Sequence, residues 1–237
     1  MAFLFLLFTY HCMQVLLLKF FTLILVTLLS CLHSFSQISV ATDASLLRNF
    51  NEGQKFWAFG QTVQLNFHPS EKEAIYAWIS YYTNGRFKNN FSAVAKDPAT
   101  IPQQANYTVY TAMRFRQFSV GWKHYFFGSF DSENIWNAYG YAGFGLLLGK
   151  ADNRYSQSVD TSLYSMESPA AGTGVFKRLT FDLGLGVEAP LGTGVFMYTE
   201  LRTWIPTTHY PSPYLYKNND RFPAAGAVNL GLRVVIQ

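Results

Sequence analysis

Acidic and basic residues alternate with apolar residues along one stretch of the chain, residues 176–204. Glu188 and Glu200 are the carboxylates whose types could do chemistry there. Two neighbouring carboxyl groups can work as a general acid and base. Inward-facing glutamates on paired strands are, however, more often partners of arginine, because an unpaired ion in a low-dielectric interior is costly. The residue types therefore favour a structural ion-pair network over a catalytic centre.

The stretch that carries these residues predicts two strands joined by a turn. In its first half the apolar side chains fall on one face, and Asp182 and Glu188 fall on the other with threonine and glycine. This period of two is typical of a transmembrane β-strand with an apolar outside and a polar inside. Residues 190–194 are predicted as the turn, since proline cannot continue a ladder and glycine accepts positive φ. The second strand is predicted over residues 195–204.

The composition indicates that something other than water covers much of the surface. Only 14% of the 237 residues are charged and 18% are aromatic, against about 25% charged in ordinary soluble domains. The net charge is +4, but the lysines and arginines are scattered and form no basic run. We therefore expect no nucleic-acid partner.

The first 36 residues are predicted to be a cleaved signal peptide, followed by one domain over residues 37–237. Ser34 and Ser36 are small residues at the positions that signal peptidase reads, so cleavage is expected before Gln37. Translation from Met13 would give a signal peptide of more usual length. A lipoprotein box at residues 28–31 and a retained anchor helix are the alternatives. Both cysteines lie in this leader, so the mature chain has no disulfide framework.

Further alternating segments follow in the mature chain. Strands are predicted at residues 38–48, 57–67, 75–83, 107–126, 136–148 and 227–237, and long loops at residues 84–106, 150–175 and 206–225. The faces of the segments at 75–83 and 136–148 cannot be assigned from the pattern. The second of these contains Gly140, Gly143, Gly145 and Gly149, which are expected to leave room for bulky neighbours inside a narrow barrel.

About eight strands result, and short and long connections alternate between them. Outer-membrane barrels show that asymmetry, and the sheet must close because lipid cannot satisfy exposed backbone groups. The predicted fold is all-β, an eight-stranded antiparallel transmembrane up-and-down β-barrel. The chain resembles the small outer-membrane β-barrel proteins of Gram-negative bacteria, the OmpA-like transmembrane type, and its leader ending in SFSQ is similar to those of Bacteroidetes. Members of that family usually end in an aromatic residue that the barrel assembly machinery reads, whereas this chain ends in VVIQ.

An eight-stranded barrel is just wide enough to be filled by its own side chains, so a plugged polar lumen is expected. Pairing of Ala189 with Val195 would put Asp182 opposite Arg202. Arg233 would then lie between Glu200 and Asp43 on the neighbouring strands. The predicted lumen charge network consists of Asp43, Lys123, Asp182, Glu188, Glu200, Arg202 and Arg233.

No catalytic residue, cofactor or metal site is expected. Lipid A deacylases resemble this fold and carry a His-x-Ser-Asn signature, which His124 and His209 lack. His124 shares a face with Trp122 and is expected to be an interfacial residue, and the strand aromatics are expected to form membrane girdles. The sequence has no Gly-rich phosphate loop, no metal-spaced Cys or His set and no Gly-x-Ser-x-Gly.

The expected function is that of a non-enzymatic integral protein of the bacterial outer membrane, with a structural or surface-binding role. Binding would use the loops at residues 86–107, 150–175 and 206–222. Expected partners are outer-membrane lipid and lipopolysaccharide, the barrel assembly machinery and a loop ligand that the sequence does not identify, and the protein is expected to be a monomer. A lipid-modifying barrel enzyme and a soluble lipocalin-like carrier are the alternatives.

Overall fold

A computed structural model describes residues 37–167, 169–208, 212–216 and 223–236 of the chain. The predicted signal peptide, its alternatives and His209 lie outside the described residues. The described residues form nine antiparallel strands: β1 Gln37–Asn49, β2 Phe56–Ser70, β3 Glu73–Ala95, β4 Gln104–Phe127, β5 Asn137–Tyr155, β6 Tyr164–Ser165, β7 Gly172–Gly192, β8 Val195–Pro206 and β9 Ala225–Ile236.

Eight of these strands close into a ring. The order is β2-β1-β9-β8-β7-β5-β4-β3, and β3 pairs again with β2. The two-residue strand β6 stands outside the ring and pairs only with Val94 and Ala95 at the far end of β3. The predicted eight-stranded up-and-down barrel is confirmed. Within the described residues, no helix is long and apolar enough to span a membrane.

The alternation along the strands separates a polar inside from an apolar outside. On β1, Ser39 and Asp43 are buried in the barrel, while Val40 and Leu46 lie on its outer surface. Val63 and Leu65 on β2 are 55% and 51% exposed. Aliphatic side chains of every ring strand continue this outer surface, which forms an apolar band around the barrel. A band of this kind would be a liability in water and is the surface that a bilayer covers.

The strand β3 is much longer than the predicted segment 75–83, and β4 extends slightly beyond the predicted segment 107–126 at both ends. They contain 23 and 24 residues and pair as far as Val94 and Gln104. The prediction of a loop over residues 84–106 was therefore wrong, and the connection is only residues 96–103. Likewise β5 continues to Tyr155, β7 begins at Gly172, and Pro206 is the last residue of β8.

The outer face of the β3–β4 pair changes from apolar to polar at a β-bulge. The register of β3 against β4 shifts between Tyr82 and Gly85. Beyond the bulge Phe87 and Ala93 lie on the inner side, whereas Arg86 and Lys88 are exposed on the outer side. The outer face is thus apolar below the bulge and polar above it, as expected where a strand leaves lipid and enters water.

The hairpin of β7 and β8 has a shorter turn and another register than predicted. Pro190 lies within β7 opposite Phe196, and the turn is only residues 193–194, where Gly194 has φ 69°. A register shift between Pro190 and Gly192 accompanies this turn, so Ala189 pairs with Met197 and not with Val195. The predicted pairing was therefore wrong by two residues.

The corrected register changes which charged residues are neighbours. Asp182 lies opposite Trp204, and Arg202 lies opposite Gly184. Arg233 lies between Phe196 and Ala41, not between Glu200 and Asp43. A shift by two residues keeps every side chain on its face, so Asp182 and Arg202 both still point into the barrel.

The two ends of the barrel differ. The end with the β2–β3, β4–β5 and β7–β8 connections, called the turn end here, has connections of residues 71–72, 128–136 and 193–194. The opposite end, the loop end, carries residues 50–55 and 96–103 and the described parts of the connections 156–171 and 207–224. The predicted asymmetry holds for the long connections 156–171 and 207–224 and the short ones 71–72 and 193–194. It is wrong for the β3–β4 connection, which has only eight residues, fewer than the nine of the β4–β5 connection at the turn end.

Candidate functional site

The seven predicted network residues all lie buried inside the barrel. None is more than 4% exposed: Asp43, Lys123, Asp182, Glu188, Glu200, Arg202 and Arg233. Each stands on the polar face of a strand whose other face is apolar, which is why the barrel brings them together. The lumen is therefore the densest concentration of charge in the described part of the chain, and its contacts decide what it can do.

Arg202 on β8 occupies the centre of the lumen. Its Nη2 lies 2.6 Å from Oε1 of Glu200 and 3.8 Å from Oδ2 of Asp43. Its Nη1 donates to the hydroxyls of Thr62 and Ser80 at 3.3 and 3.2 Å, and the guanidinium lies 4.3 Å from the ring centroid of Trp78. A guanidinium with partners on this many strands ties the opposite walls of the barrel together.

The carboxylates around Arg202 have further donors of their own. Glu200 accepts hydrogen bonds from the hydroxyl of Tyr141 at 2.8 Å and from the amide of Asn229 at 3.1 Å. Asp43 accepts from Ser45 at 2.6 Å and from the hydroxyl of Tyr198 at 3.0 Å. Each of these buried carboxylates therefore has hydrogen-bond donors in addition to the Arg202 guanidinium, which stabilises its charge in the interior.

A second ion pair lies nearer the turn end. Arg233 donates through Nε to Oε2 of Glu188 at 3.0 Å and through Nη2 to Oε1 at 2.6 Å, a bidentate pair. Nη2 also donates to the carbonyl oxygen of Phe130 at 2.6 Å, and the guanidinium lies 4.3 Å from the ring centroid of Phe196. The pair joins β7 and β9 and fixes the β4–β5 connection at the same time.

Two network residues lie apart from these ion pairs. Lys123 places its Nζ 4.1 Å from the ring centroid of Tyr139. Asp182 accepts from Gln117 at 2.8 Å and from Thr180 at 2.9 Å, both through Oδ1. The proposed contact between Asp182 and Arg202 is absent from the ion pairs of the described residues, because the true register separates them.

The formal charges of the lumen cancel. The buried acidic residues of the described chain are Asp43, Asp182, Glu188 and Glu200, and the buried basic residues are Lys123, Arg178, Arg202 and Arg233. Four negative and four positive groups leave no net charge. Ion pathways are usually lined by rings of one sign, so this interior has the character of a self-neutralised core.

Both ends of the lumen are covered by apolar side chains. At the loop end a buried cluster includes Leu47, Phe115, Phe176 and Trp204. At the turn end the β4–β5 connection folds inward, and the ring of Phe130 stacks on His68 with 4.1 Å between centroids. Phe130 is only 5% exposed. The polar layers are consequently sealed between two aromatic ones.

Glycines opposite tyrosines are a feature that the sequence pattern did not reveal. A methyl group on Gly184 would lie 2.1 Å from the ring of Tyr141, and one on Gly186 would lie 2.3 Å from the ring of Tyr139. Tyr76 covers Gly143 in the same way, at 2.3 Å. The expectation that glycines make room for bulky neighbours is confirmed at Gly143 and Gly149, whereas Gly145 lies against Asp182 and Thr180 and Gly140 faces outward beneath Phe126.

Many strand aromatics therefore face inward. The prediction that the strand aromatics form membrane girdles is wrong for these residues. Buried inward examples are Tyr76, Trp78, Tyr82, Tyr139, Tyr141 and Tyr198. Outward aromatics such as Trp57, Trp122 and Trp136 remain on the surface and are 47 to 54% exposed. A signal was available in β5, where Tyr139, Tyr141, Gly143 and Gly145 occupy alternate positions of one face.

The buried residues Arg178 and His68 were also missed. Arg178 shares the inward face of β7 with Thr180 and Asp182, so extending the alternation by one residue pair would have found it. His68 follows the inward face of β2, and its Nε2 lies 2.9 Å from Oγ of Ser39. β7 begins at Gly172, before the predicted stretch that starts at residue 176, and β2 continues to Ser70, past the predicted end at residue 67.

His124 lies on the outer surface near the turn end. Its Nδ1 is 2.6 Å from Oε1 of Glu73, and the other oxygen of that carboxylate accepts from the indole of Trp122. The His124 side chain is 47% exposed, and it shares its face with Trp122 as predicted. In the described part of the chain no group of three or more His, Cys, Asp or Glu side chains could hold a metal ion.

Comparison with known proteins identifies the fold. No family model and no curated protein matches this sequence. A major outer membrane protein from Thermus thermophilus is 10% identical, with a TM-score of 0.52 over 86% of this chain and 100% of that one. Neisserial surface protein A is 14% identical with a TM-score of 0.49, over 85% of this chain and 99% of that one. Ail of Yersinia pestis is 10% identical with a TM-score of 0.44, over 85% and 97%.

At these identities the match to the Thermus protein establishes the architecture alone. The chain has the fold of a small outer-membrane β-barrel, and the apolar band and closed ring seen in its own structure agree with that class.

Proposed function

We propose that this protein is an integral, non-enzymatic component of a bacterial outer membrane whose barrel anchors a binding surface outside the cell. The observation that supports the proposal most directly is the apolar outer band around a closed, charge-balanced interior. A carrier of the lipocalin type would need the opposite arrangement, with polar residues outside and an apolar cavity inside.

The binding surface in this proposal is the loop end. The strands β3, β4 and β5 continue there beyond the apolar band, and β6 pairs with the far end of β3. Phe91, Tyr107 and Tyr155 pack in a small apolar cluster within this extension. A preformed, internally packed surface of this kind binds a partner without a large ordering cost.

Absence of catalysis is part of the same proposal. The carboxylates of the two ion pairs have arginine partners, and Glu200 and Asp43 also accept from tyrosines. The exposed pair of His124 and Glu73 is bound to Trp122 on the membrane-facing wall. We assign that pair an anchoring role at the interface, because Trp and His side chains place their polar atoms at headgroup level.

The proposal is tested by expressing the full chain in a Gram-negative host and separating the membranes. We expect the protein in the outer-membrane fraction, resistant to extraction by carbonate, and migrating on gels at different positions before and after boiling. Recovery in the soluble periplasm, or a mobility that boiling leaves unchanged, would refute the barrel anchor. Lipid A mass spectra should be the same with and without the expressed protein, and a modified species would refute the non-enzymatic assignment.

A further inference from the structure

A cluster of four cations lies on the outward face of the barrel where the apolar band ends at the loop end. Arg114 and Arg116 stand on β4, Lys150 on β5 and Lys177 on β7, and all four side chains are exposed on the outer side of the wall. We call them the wall cations. They surround an open groove of about 390 Å³ that Tyr81 and Val175 also line.

The strand register brings these charges close together. Arg114 is directly opposite Lys150, and Arg116 is two residues along the same face. Lys177 is opposite Leu148 and therefore diagonal to Lys150. Side chains directly opposite each other in an antiparallel pair have Cβ atoms about 5 Å apart, and like charges at that position destabilise the sheet. The arrangement costs stability unless an anion lies between the charges.

Within the described residues, no carboxylate serves as the counterion of these cations. Among the described residues, none of the four wall cations takes part in an ion pair. Arg116 lies over the ring of Tyr81, with its Cζ 5.8 Å from the centroid. The nearest outward carboxylate on the same strands is Asp152, two residues beyond Lys150, and its partner is Arg154 at 3.6 Å.

The surface directly beneath the cluster is apolar. Phe118 follows Arg116 on the outward face of β4, and Leu179 follows Lys177 on β7. Both residues line a second, larger groove of about 650 Å³ with Val63, Leu65, Ile79 and Phe144. A ligand that fits both grooves has anionic groups at one end and hydrocarbon chains at the other.

The cluster is confined to one side of the barrel. The described outward positions of β8 and β9 carry no lysine or arginine and include Thr203, Ile205 and Val228. On β1 the only cation is Arg48, and it lies 4.9 Å from the ring centroid of Trp57. A general interfacial belt would surround the barrel, so the one-sided grouping indicates a site.

We infer that the wall cations bind the phosphate groups of a phosphorylated glycolipid of the outer leaflet, with its acyl chains on the apolar groove below. This inference rests on the proposed position of the barrel in an outer membrane. Guanidinium groups bind phosphate oxygens through paired hydrogen bonds, and a lysine adds a point charge. Four cations around one groove match a headgroup with two phosphates better than a headgroup with one.

The test uses the full-length protein folded in a neutral detergent. The probes are a diphosphorylated lipid A, the same lipid without phosphate, phosphatidylglycerol and inorganic phosphate. Lipid retention is measured by native mass spectrometry, and the unfolding temperature by loss of the fast-migrating form on gels. The double variant Arg114→Gln/Lys150→Gln is compared with Lys55→Gln/Lys72→Gln, which removes the same charge from exposed positions in connections at the two ends of the barrel.

The wild type should retain the diphosphorylated lipid and unfold at a higher temperature in its presence. Removing Arg114 and Lys150 should weaken binding about 30-fold, since each cation near an anionic lipid surface strengthens binding about fivefold. The same variant should unfold at an equal or higher temperature when no lipid is present, because the like charges are gone. The control variant should bind as the wild type does.

Equal lipid retention by the wild type and Arg114→Gln/Lys150→Gln would overturn the inference. So would equal retention of the lipid without phosphate or of phosphatidylglycerol, and so would an equal stabilisation by inorganic phosphate. Heat-modifiable migration of every variant is recorded in the same experiment, so a failure of the barrel itself is distinguished from a failure to bind the lipid.

Discussion

Individual side chains in the lumen hold the barrel closed through ion pairs, and the pair of Arg233 and Glu188 is the most sharply defined. Two parallel hydrogen bonds join the groups, and each residue is at most 2% exposed. Burial makes such a pair costly to break, although its net contribution relative to an apolar pair is small. A double substitution should therefore be milder than the single ones combined.

Replacing Arg233 with methionine should lower the free energy of unfolding by about 3–5 kcal/mol, because Glu188 would be left buried without a counterion. Glu188→Gln should destabilise less, since its amide can still accept a hydrogen bond. In the double variant the loss should be clearly smaller than the sum of the two. Urea unfolding in detergent, followed by tryptophan fluorescence, measures all three, with Lys72→Met as the exposed control. Additive losses would contradict the coupling.

The tyrosine rings over inward glycines give a second prediction. Gly186→Ala would put a methyl group 2.3 Å from the ring of Tyr139, and overpacking of this kind costs about 1–3 kcal/mol. Gly192→Ala is the matched control on the same strand, because an added methyl group meets nothing within 4 Å. The midpoint temperature of heat unfolding should be lower for Gly186→Ala than for the wild type and unchanged for Gly192→Ala. Equal midpoints would show that the ring moves aside at no cost.

The sequence pattern predicts on which face of a strand each charged lumen residue lies, but it does not predict which residues form ion pairs. Alternation alone identified Asp43, Glu200 and Arg233 as inward, since each lies on a strand with an unbroken apolar face. Which charge meets which depends on the strand register. The register between β7 and β8 depends on the irregular pairing between Pro190 and Gly192, and no periodic pattern encodes it.

At the scale of strands, the bounds were predictable only where the outer face meets lipid. The predicted segments at residues 38–48 and 227–237 nearly coincide with β1 and β9. The extension of β3 was missed although the period of two continues through the bulge, with Ile79, Phe87 and Phe91 all at odd positions. The bulge changes which side of the wall those positions face, so that Ile79 lies outside whereas Phe87 and Phe91 face inward.

The short strand β6 depends on a turn that Asp160 stabilises. The carboxylate accepts hydrogen bonds from the hydroxyl and the amide of Ser162 at 2.6 and 2.8 Å, and these bonds lower the pKa of the Asp160 carboxyl. Since the folded pKa is below the unfolded one, the turn is stabilised at neutral pH and loses that contribution as the pH falls through the folded pKa.

Asp160→Ala should therefore lower the stability of the turn before β6 at neutral pH. Acidification should then cause no further loss of stability in this turn. The amide of Tyr164, which donates to the carbonyl of Asp160 at 3.0 Å, reports the change. Its hydrogen-exchange protection factor, corrected for the intrinsic pH dependence, should drop in the variant and should drop in the wild type only on acidification. Val109 in β4, which pairs with Asn89 on one side and Tyr155 on the other, serves as the internal control. Equal protection of Tyr164 in both proteins would refute the role of this turn.

For the molecule as a whole, the sealed and charge-balanced lumen predicts that the barrel does not conduct. Purified protein in a planar bilayer should give no stepwise current at salt and voltage where a trimeric porin does. Phe130→Ala should leave the bilayer silent as well, because the apolar cluster with Trp204 still covers the loop end. Regular wild-type current steps would contradict the closed interior.

The unequal strand lengths make the barrel wall taller on the side of β3 and β4 than on the side of β8. At about 3.3 Å per residue, the 24 residues of β4 are about twice as long as the 12 of β8, so β4 and its partner β3 form a crest that extends past the end of strand β8. In the proposed orientation that crest stands above the sugar layer of neighbouring lipids. The connection at its tip, where Ile101 is 90% exposed, is then accessible to a large binding partner that cannot approach the barrel wall within the lipid.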